Sequence, residues 1–272
     1  MVLSHKENEL LRLRTIAIDA VAMGMSVIKE WRANGRDIGA VNTVGEPGDE
    51  YVTAVDNAAE TAMMEVLRQA SPDIAIVGEM SGGNLDAELV WVIDPMDGTT
   101  NFVMGKSFVA VTLALLADGF PVVGVTGCPF TGELWSAVKG AGTYDNSDHR
   151  IIVKPRATGH ERIALDPQVS GKRTFATWNE VFKRLTSNFR EVQPLSAIAL
   201  ELAHVAAGNY DGFVQIGGSP VQDFAAGALL IREAGGVITT IDGSEKVWDS
   251  NMVVAGTHET HSELLYLLGS LG

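Results

Sequence analysis

Two aspartates three residues apart, Asp94 and Asp97, break an apolar run and carry the clearest chemistry in this chain. They sit in Trp91-Val92-Ile93-Asp94-Pro95-Met96-Asp97-Gly98-Thr99-Thr100-Asn101-Phe102. Val90 to Ile93 are apolar and β-favouring, as in a buried strand, and polarity begins abruptly at Asp94 in what reads as a loop. Pro95 presets φ, and Gly98 admits backbone conformations that other residues resist, so both carboxylates can be aimed at one point. Converging carboxylates repel unless a cation sits between them. Hard oxygen ligands suit Mg²⁺, which takes a few carboxylates and fills its other positions with water and phosphate oxygens. After Gly98, the N–H groups and hydroxyls of Thr99 and Thr100 offer donors to a phosphate, most effectively at a helix start. Without such chemistry, the same residues make an Asp-Pro turn with an Asx cap.

The run resembles the Asp-Pro-x-Asp-Gly-Thr-x-Asn-Phe signature of the inositol monophosphatase family of Mg²⁺-dependent phosphatases, and matches it at every fixed position. Upstream, Val52-Thr53-Ala54-Val55-Asp56-Asn57-Ala58-Ala59-Glu60 is similar to the family's Val-Thr-x-x-Asp-x-x-x-Glu helix start, and Ile74-Ala75-Ile76-Val77-Gly78-Glu79 to its strand ending in Gly-Glu. Downstream, Gln222-Asp223-Phe224-Ala225-Ala226-Gly227 through Glu233-Ala234-Gly235-Gly236 resembles its last signature. The segments run from Tyr51 to Gly236 in the family's order, with Asn146 to Val192 only weakly matched.

The resemblance implies a set of roles. Glu79, Asp94 and the carbonyl of Met96 would hold a first Mg²⁺ and its nucleophilic water, and Asp94, Asp97 and Asp223 a second, nearer the leaving group. Glu79 would help place a weaker third, giving roughly two or three ions per site. Thr99, linked to Asp56, would orient and deprotonate the water, making Thr99, Asp56 and Glu79 the catalytic set. The amides of Gly98 and Thr99 would cradle the phosphate. Ser196, Ala197, Ile198 and Gln215 would line the alcohol half of the pocket. Inhibition by lithium and a homodimeric assembly are also implied.

Each residue has a structural reading beside the functional one. Asp223 precedes a helical run and is a candidate N-cap. Asp56 opens a helix and shares a face with Glu60 at i,i+4, where Glu60 reads as a supporting or solvated residue. A lone Glu at a strand end, such as Glu79, is ordinarily solvent-facing. His204, in Leu202-Ala203-His204-Val205-Ala206, reads as a packed or surface histidine rather than a base.

Composition bounds the same answer. The chain has 272 residues and 46% hydrophobic content, enough for one large core or two lobes. A formal charge of −14 argues against nucleic acid as an electrostatic partner, which would need a basic footprint. An acidic enzyme acting on phosphates must neutralise its own field locally, as bound Mg²⁺ would. The charged start Met1-Val2-Leu3-Ser4-His5-Lys6-Glu7-Asn8-Glu9 is unlike a signal peptide, and no run approaches a membrane span, so the expected location is cytoplasmic with no membrane partner. The single cysteine, Cys128, excludes an intramolecular disulfide framework and lies in a strand pattern, as a buried small residue would. No segment carries EF-hand ligand spacing.

Positioning these residues requires a mixed α+β to α/β chain. Helical spacing covers Glu7–Trp31 and Thr53–Gln69. A meander follows: Ile74–Val77, Leu89–Ile93, Val109–Ala117, Val122–Thr126 and Glu133–Val138, with hairpin turns such as Ala117-Asp118-Gly119-Phe120-Pro121. Beyond Arg162 the elements alternate: strands Ile163–Leu165, Gly212–Gln215, Val237–Thr239 and Met252–Ala255, and helices Trp178–Leu185, Ala197–Ala207, Phe224–Glu233 and Glu259–Leu268. The expected boundary lies near Gly142 to Arg150, dividing an N-terminal α+β lobe (1–147) with most metal ligands from a C-terminal α/β lobe (148–272) with the last ligand and the substrate pocket. The resemblance implies the layered αβαβα sandwich of the inositol monophosphatase and fructose bisphosphatase type, with the site between lobes.

Departures from the family pattern bear on the substrate, a small phosphate monoester. Met80 follows Glu79 where many relatives have a second acid. Gln222 replaces an aromatic residue, and Gln215 stands where inositol-cleaving members place Glu. Ile198 occupies a position where alanine is common, and would intrude on the pocket. These leave inositol 1-phosphate as the default among small polyol and sugar phosphates, with histidinol phosphate or fructose bisphosphate as alternatives. A regulatory binding protein retaining the fold is the reading from another class.

Overall fold

The computed structural model describes residues 5–35, 42–43, 51–157, 159–167 and 171–271. Met1 to Ser4 of the charged N-terminal run lie outside them, as do residues 158 and 168–170 of the weakly matched stretch. Five layers stack in the order helices, sheet, helices, sheet, helices.

The first layer pairs α1 (His5–Ala33) with α2 (Ala54–Ala70); the two-residue strands β1 (Asn42–Thr43) and β2 (Tyr51–Val52) pair antiparallel between them. Both helices cover a seven-stranded sheet of β3 (Ala75–Gly78), β4 (Leu89–Asp97), β5 (Ala110–Ala117), β6 (Phe120–Gly127), β7 (Leu134–Val138), β8 (Gly142–Asp145) and β9 (Arg150–Ile151), in that order. Leu13, Ala17 and Val21 of α1 and Val55, Met63 and Leu67 of α2 pack on Trp91, Ile93, Val111, Leu113 and Val125. Burying both faces explains why β4 and β5 read as continuous apolar runs rather than alternating ones. Asp118 and Gly119 take φ of 49° and 77° at the β5–β6 turn, the positive values that a tight hairpin demands of an Asp-Gly pair.

In the Gly142–Arg150 region, β8 and β9 extend the first sheet through Ile151, and the turn-forming residues mark a hairpin. One expectation changes here: the start is not a pure meander, since β3 runs parallel to β4 and the ten residues 79–88 return the chain to the same end of the sheet.

The middle layer consists of α5 (Ile198–Ala206) and α6 (Val221–Glu233). Beyond it lies a five-stranded sheet of β10 (Arg162–Pro167), β11 (Glu191–Pro194), β12 (Gly212–Ile216), β13 (Val237–Thr240) and β14 (Met252–Gly256), ordered β11-β10-β12-β14-β13. Alternate residues divide its faces: Ala164, Phe213, Val253 and Ala255 meet the middle helices, whereas Ile163, Leu165, Val214 and Val254 meet α4 (Gly171–Asn188) and α7 (His258–Leu268). Strand β11 carries no strand signal in the sequence, because Glu191-Val192-Gln193-Pro194 is a short, half-exposed edge without an apolar run. Cys128 is buried, as its strand pattern predicts.

Candidate active site

Strand β4 does not end where polarity begins. Its pairing with β5 continues through Asp97, with a register shift between Asp94 (opposite Thr112) and Asp97 (opposite Ala110). Residues three apart on a regular strand face opposite sides, and one extra residue in a bulge reverses that parity. Pro95 falls inside the irregularity, where its missing N–H costs no ladder bond. Asp94 continues the Val90–Val92 face, which packs on Val221, Ala225 and Ala226 of α6, so it looks toward the helix that carries Asp223. The parallel β3–β4 pairing places the carboxyl ends of both strands together. Gly78 is level with Ile93, and Glu79 N–H donates to the Ile93 carbonyl at 3.2 Å, bringing Glu79 beside Asp94.

Asp94, Glu79, Asp97 and Asp223 thus come from three elements into one electrostatic neighbourhood. Asp94 is buried, and its proton affinity stands well above the usual carboxylate range, first through burial and then through Glu79, Asp97 and Asp223. Its Oδ1 accepts from Met96 N–H at 2.9 Å, closing an Asx turn over Pro95. An anionic cluster of this kind fits a cation, and all its donors are hard oxygens. Among the described residues no three His, Cys, Asp or Glu side chains cage an ion by themselves. Mg²⁺ suits such an open set, since it keeps waters and substrate oxygens.

A second group forms around Asp56. Helix α2 begins with a capping box in which Thr53 Oγ1 accepts from Val55 N–H at 3.2 Å while Asp56 Oδ2 accepts from Thr53 N–H at 2.7 Å. Thr53 Oγ1–H donates to the same oxygen at 2.5 Å, leaving Oδ1 for Thr99, whose Oγ1 lies 3.2 Å away. Thr99 Oγ1 is also 2.8 Å from the Met96 carbonyl, so its single proton has two acceptors. Burial raises the Asp56 proton affinity, and the hydrogen bonds from Thr53 and Thr99 partly offset the rise.

Gly98 is the N-cap of α3 (Thr99–Val103), with φ of 86° and ψ of 35°. A Cβ there would also lie 3.0 Å from the Phe108 carbonyl and 3.1 Å from Ala197 Cβ. Asp97 Oδ2 accepts from the N–H groups of Ala199 (2.8 Å) and Leu200 (3.3 Å) at the start of α5. Ser196 and Ala197 immediately precede that helix, while Ile198 is packed into the core with Ala197.

Asp223 is not an N-cap. Helix α6 starts three residues earlier than the apolar pattern suggested, with Pro220 as the cap residue and Asp223 in the first turn. Glu60 is buried rather than solvated, and its carboxylate accepts from Met80 N–H (2.8 Å) and Ser81 N–H (2.9 Å) in the turn after Glu79. Gln215 is fully buried on the inner face of β12 opposite Asp166 of β10, and neither Oε1 nor Nε2 has a hydrogen-bond partner. Sequence reasoning missed Glu201, a buried acid on α5 whose proton affinity is raised by burial and by Asp166. The only signal was one Glu in the apolar run Ile198-Ala199-Leu200-Glu201-Leu202-Ala203. His204 lies apart, against Phe108, Trp135 and Tyr210.

The profile of the inositol monophosphatase family matches residues 9–269. The chain belongs to this family. As a member it is a phosphoric monoester hydrolase, of a family that is in general Mg²⁺-dependent. Inositol-1-monophosphatase ImpA of Mycolicibacterium smegmatis is 36% identical over 239 residues, 86% of this chain and 85% of that relative. The Nus factor SuhB of Pasteurella multocida is 32% identical over 252 residues, 92% of this chain and 93% of the relative. Among solved structures, the extragenic suppressor protein suhB of Bartonella henselae superposes with a TM-score of 0.85 at 29% identity, covering 94% of this chain and 98% of the other. The family's layered sandwich is therefore the fold of this chain. Among the described residues no helix is long and apolar enough to cross a membrane.

Proposed function

We propose that the chain hydrolyses a small polyol or sugar phosphate, with inositol 1-phosphate as the default substrate, and works as a cytoplasmic homodimer of two lobes that meet near Gly142 to Arg150. Glu79, Asp94, Asp97, Asp223 and the Met96 carbonyl would hold roughly two or three Mg²⁺ ions. When bound, these supply charge neutralisation for the phosphate and a water of lowered pKa. The Met96 carbonyl has two lone pairs and can accept from Thr99 while keeping one for an ion. Thr99 and Asp56 form the proton path: Thr99 Oγ1 accepts the proton of the attacking water as its own passes to Asp56 Oδ1, whose burial favours taking it. Gly98 and Thr99 amides at the α3 start receive the phosphate oxygens. Ser196, Ala197 and, through the shape of the α5 start, Ile198 bound the alcohol. Gln215, fully buried on β12, can accept a hydrogen bond from a substrate hydroxyl only if the pocket opens toward it.

The observation that carries this reading is the Asp56–Thr99–Met96 link standing beside four mutually repelling carboxylates. The test is phosphate release from a panel of phosphomonoesters with Mg²⁺, with EDTA, and with Asp97→Asn, which keeps an acceptor for the α5 N–H groups. Turnover should require Mg²⁺ and fall by about a hundredfold or more in the variant; metal-independent turnover, or full activity of Asp97→Asn, refutes it. The similarity to a protein named Nus factor SuhB favours a second reading, a regulatory binding role on the same fold. A regulator would keep its partner interaction in Asp97→Asn.

A further inference from the structure

We infer that Asn101 is the positioning residue that sets the start of α5 against the phosphate-facing loop, and through it decides which alcohols the site accepts; the inference rests on the phosphomonoesterase reading above. Asn101 is buried on the short helix α3, two residues beyond Thr99. Its Nδ2 lies 3.0 Å from the Phe108 carbonyl, 2.8 Å from that of Leu195 and 3.3 Å from that of Ser196. A primary amide has two N–H donors, so this one group ties together three backbone carbonyls, two of them 94 and 95 residues further along the chain. These bonds are part-buried, so a carbonyl stripped of its donor is only partly resolvated and the segment it belongs to is released.

The segment so held is strained. Ser196 has φ of 58°, a left-handed conformation that a residue with a Cβ adopts only when its surroundings impose it. Four groups do the imposing, and they divide the work: Asp97, Gly98 and Asn101, with the Glu201 carboxylate, which accepts from the N–H groups of Ser196 and Ala197. Asp97 Oδ2 grips the N–H groups of Ala199 and Leu200, inside the helix. The bare backbone of Gly98 lets Ala197 approach to a distance at which any Cβ would crowd it. Asn101 alone holds the carbonyls of Leu195 and Ser196, before the helix begins, and so, with Glu201 fixing the N–H side, sets the direction in which Ser196 and Ala197 face the bound alcohol. Loss of the Asn101 amide leaves Glu79, Asp94, Asp97, Gly98 and Thr99 with their own partners. The phosphate end keeps its shape while the alcohol wall slackens.

The experiment compares two esters, each with Mg²⁺. One is the polyol or sugar phosphate that wild-type protein turns over best; the other is 4-nitrophenyl phosphate, whose phenolate leaves without help from an alcohol wall. Asn101→Asp keeps the shape and replaces both donors by acceptors, and Asn101→Ser keeps one shorter donor. Thermal melting, with and without Mg²⁺, reports folding and ion binding for each chain. The expected result is a loss of about tenfold in kcat/KM on the polyol ester, mostly through KM and larger for Asp than for Ser, with 4-nitrophenyl phosphate changed by less than about twofold. If Asn101→Asp does not fold, Asn101→Ser carries the comparison. Equal losses on both esters, no loss on either, or failure of both variants to fold overturns the inference and leaves Asn101 a stabilising residue. Wild-type protein inactive on every ester overturns the phosphatase reading and takes the inference with it.

Discussion

Gly78→Ala should damage the site without touching any proposed ligand. A Cβ at residue 78 would lie 2.5 Å from Glu60 Cδ and within 2.6 Å of both carboxylate oxygens. The carboxylate is the far end of a flexible side chain and can swing away, which relieves the clash. What it gives up are the bonds from Met80 N–H (2.8 Å) and Ser81 N–H (2.9 Å). Bonds to a charged group contribute about 1.5–3 kcal/mol, and the two donors act as one anchor, so the net cost is about 2 kcal/mol. For a chain of this size that lowers Tm by roughly 4–8 °C. The freed turn follows Glu79 directly, so the Mg²⁺ concentration for half-maximal phosphate release should rise about 10–100-fold, as when groups supporting a metal ligand are lost. Calorimetry and Mg²⁺ titration of turnover measure both effects. Glu60→Gln attacks the same anchor from the other side, turning an amide N–H toward a backbone donor, and the double variant should be little worse than either single one. Wild-type Tm and Mg²⁺ dependence in Gly78→Ala would refute the claim that Glu60 holds the Glu79 turn.

Two further outcomes follow from the electrostatics. The proton affinity of Asp94 is raised by burial and by Glu79, Asp97 and Asp223. A folded-state value above the unfolded one makes its contribution most favourable in acid and lost as pH rises above the ordinary carboxylate value near 4. With EDTA, the Tm of wild-type protein should therefore fall relative to Asp94→Asn from about pH 4 upward, and Mg²⁺ at about 100 times its Kd should restore about 2.7 kcal/mol to wild-type protein only; parallel pH curves would refute this. His204 behaves oppositely, because burial lowers its proton affinity, with Glu133 partly opposing. Its contribution is complete above the ordinary histidine value near 6.5 and is lost as pH falls below it, by at most roughly 1.4 kcal/mol per pH unit. His204→Phe, which keeps a ring against Phe108 and Trp135, should show a shallower fall in Tm below about pH 6.5. An unchanged slope would place the acid sensitivity elsewhere, as at His261, whose affinity burial also lowers.

Much of this architecture was legible because its signals are local. Apolar runs bounded by Asp-Gly and Gly-rich turns mark β4 to β7, and the Thr53–Asp56 capping box is a four-residue pattern that needs no tertiary knowledge. The carboxylates themselves stand in short motifs whose residue types already imply a cation and a phosphate. What the sequence left ambiguous was direction and partnership. Whether Glu79 and Asp94 end at the same edge depends on β3 running parallel to β4, and a ten-residue link permits either sense. Whether Asp94 and Asp97 share a side depends on a bulge that the strand pattern does not announce. The partners of Glu60, Asn101 and Glu201 were not legible, for a common reason. Each is a polar residue whose role is set by backbone or side chains brought in from elsewhere: the 80–81 turn, the 195–196 segment and Asp166. The chain by itself determined which groups carry charge and which faces must be buried, because hydrophobic period and turn chemistry act within a few residues. Only the packing of α2, α5 and α6 about the two sheets decided which of those groups meet, because the close approach of distant segments is a property of the closed core.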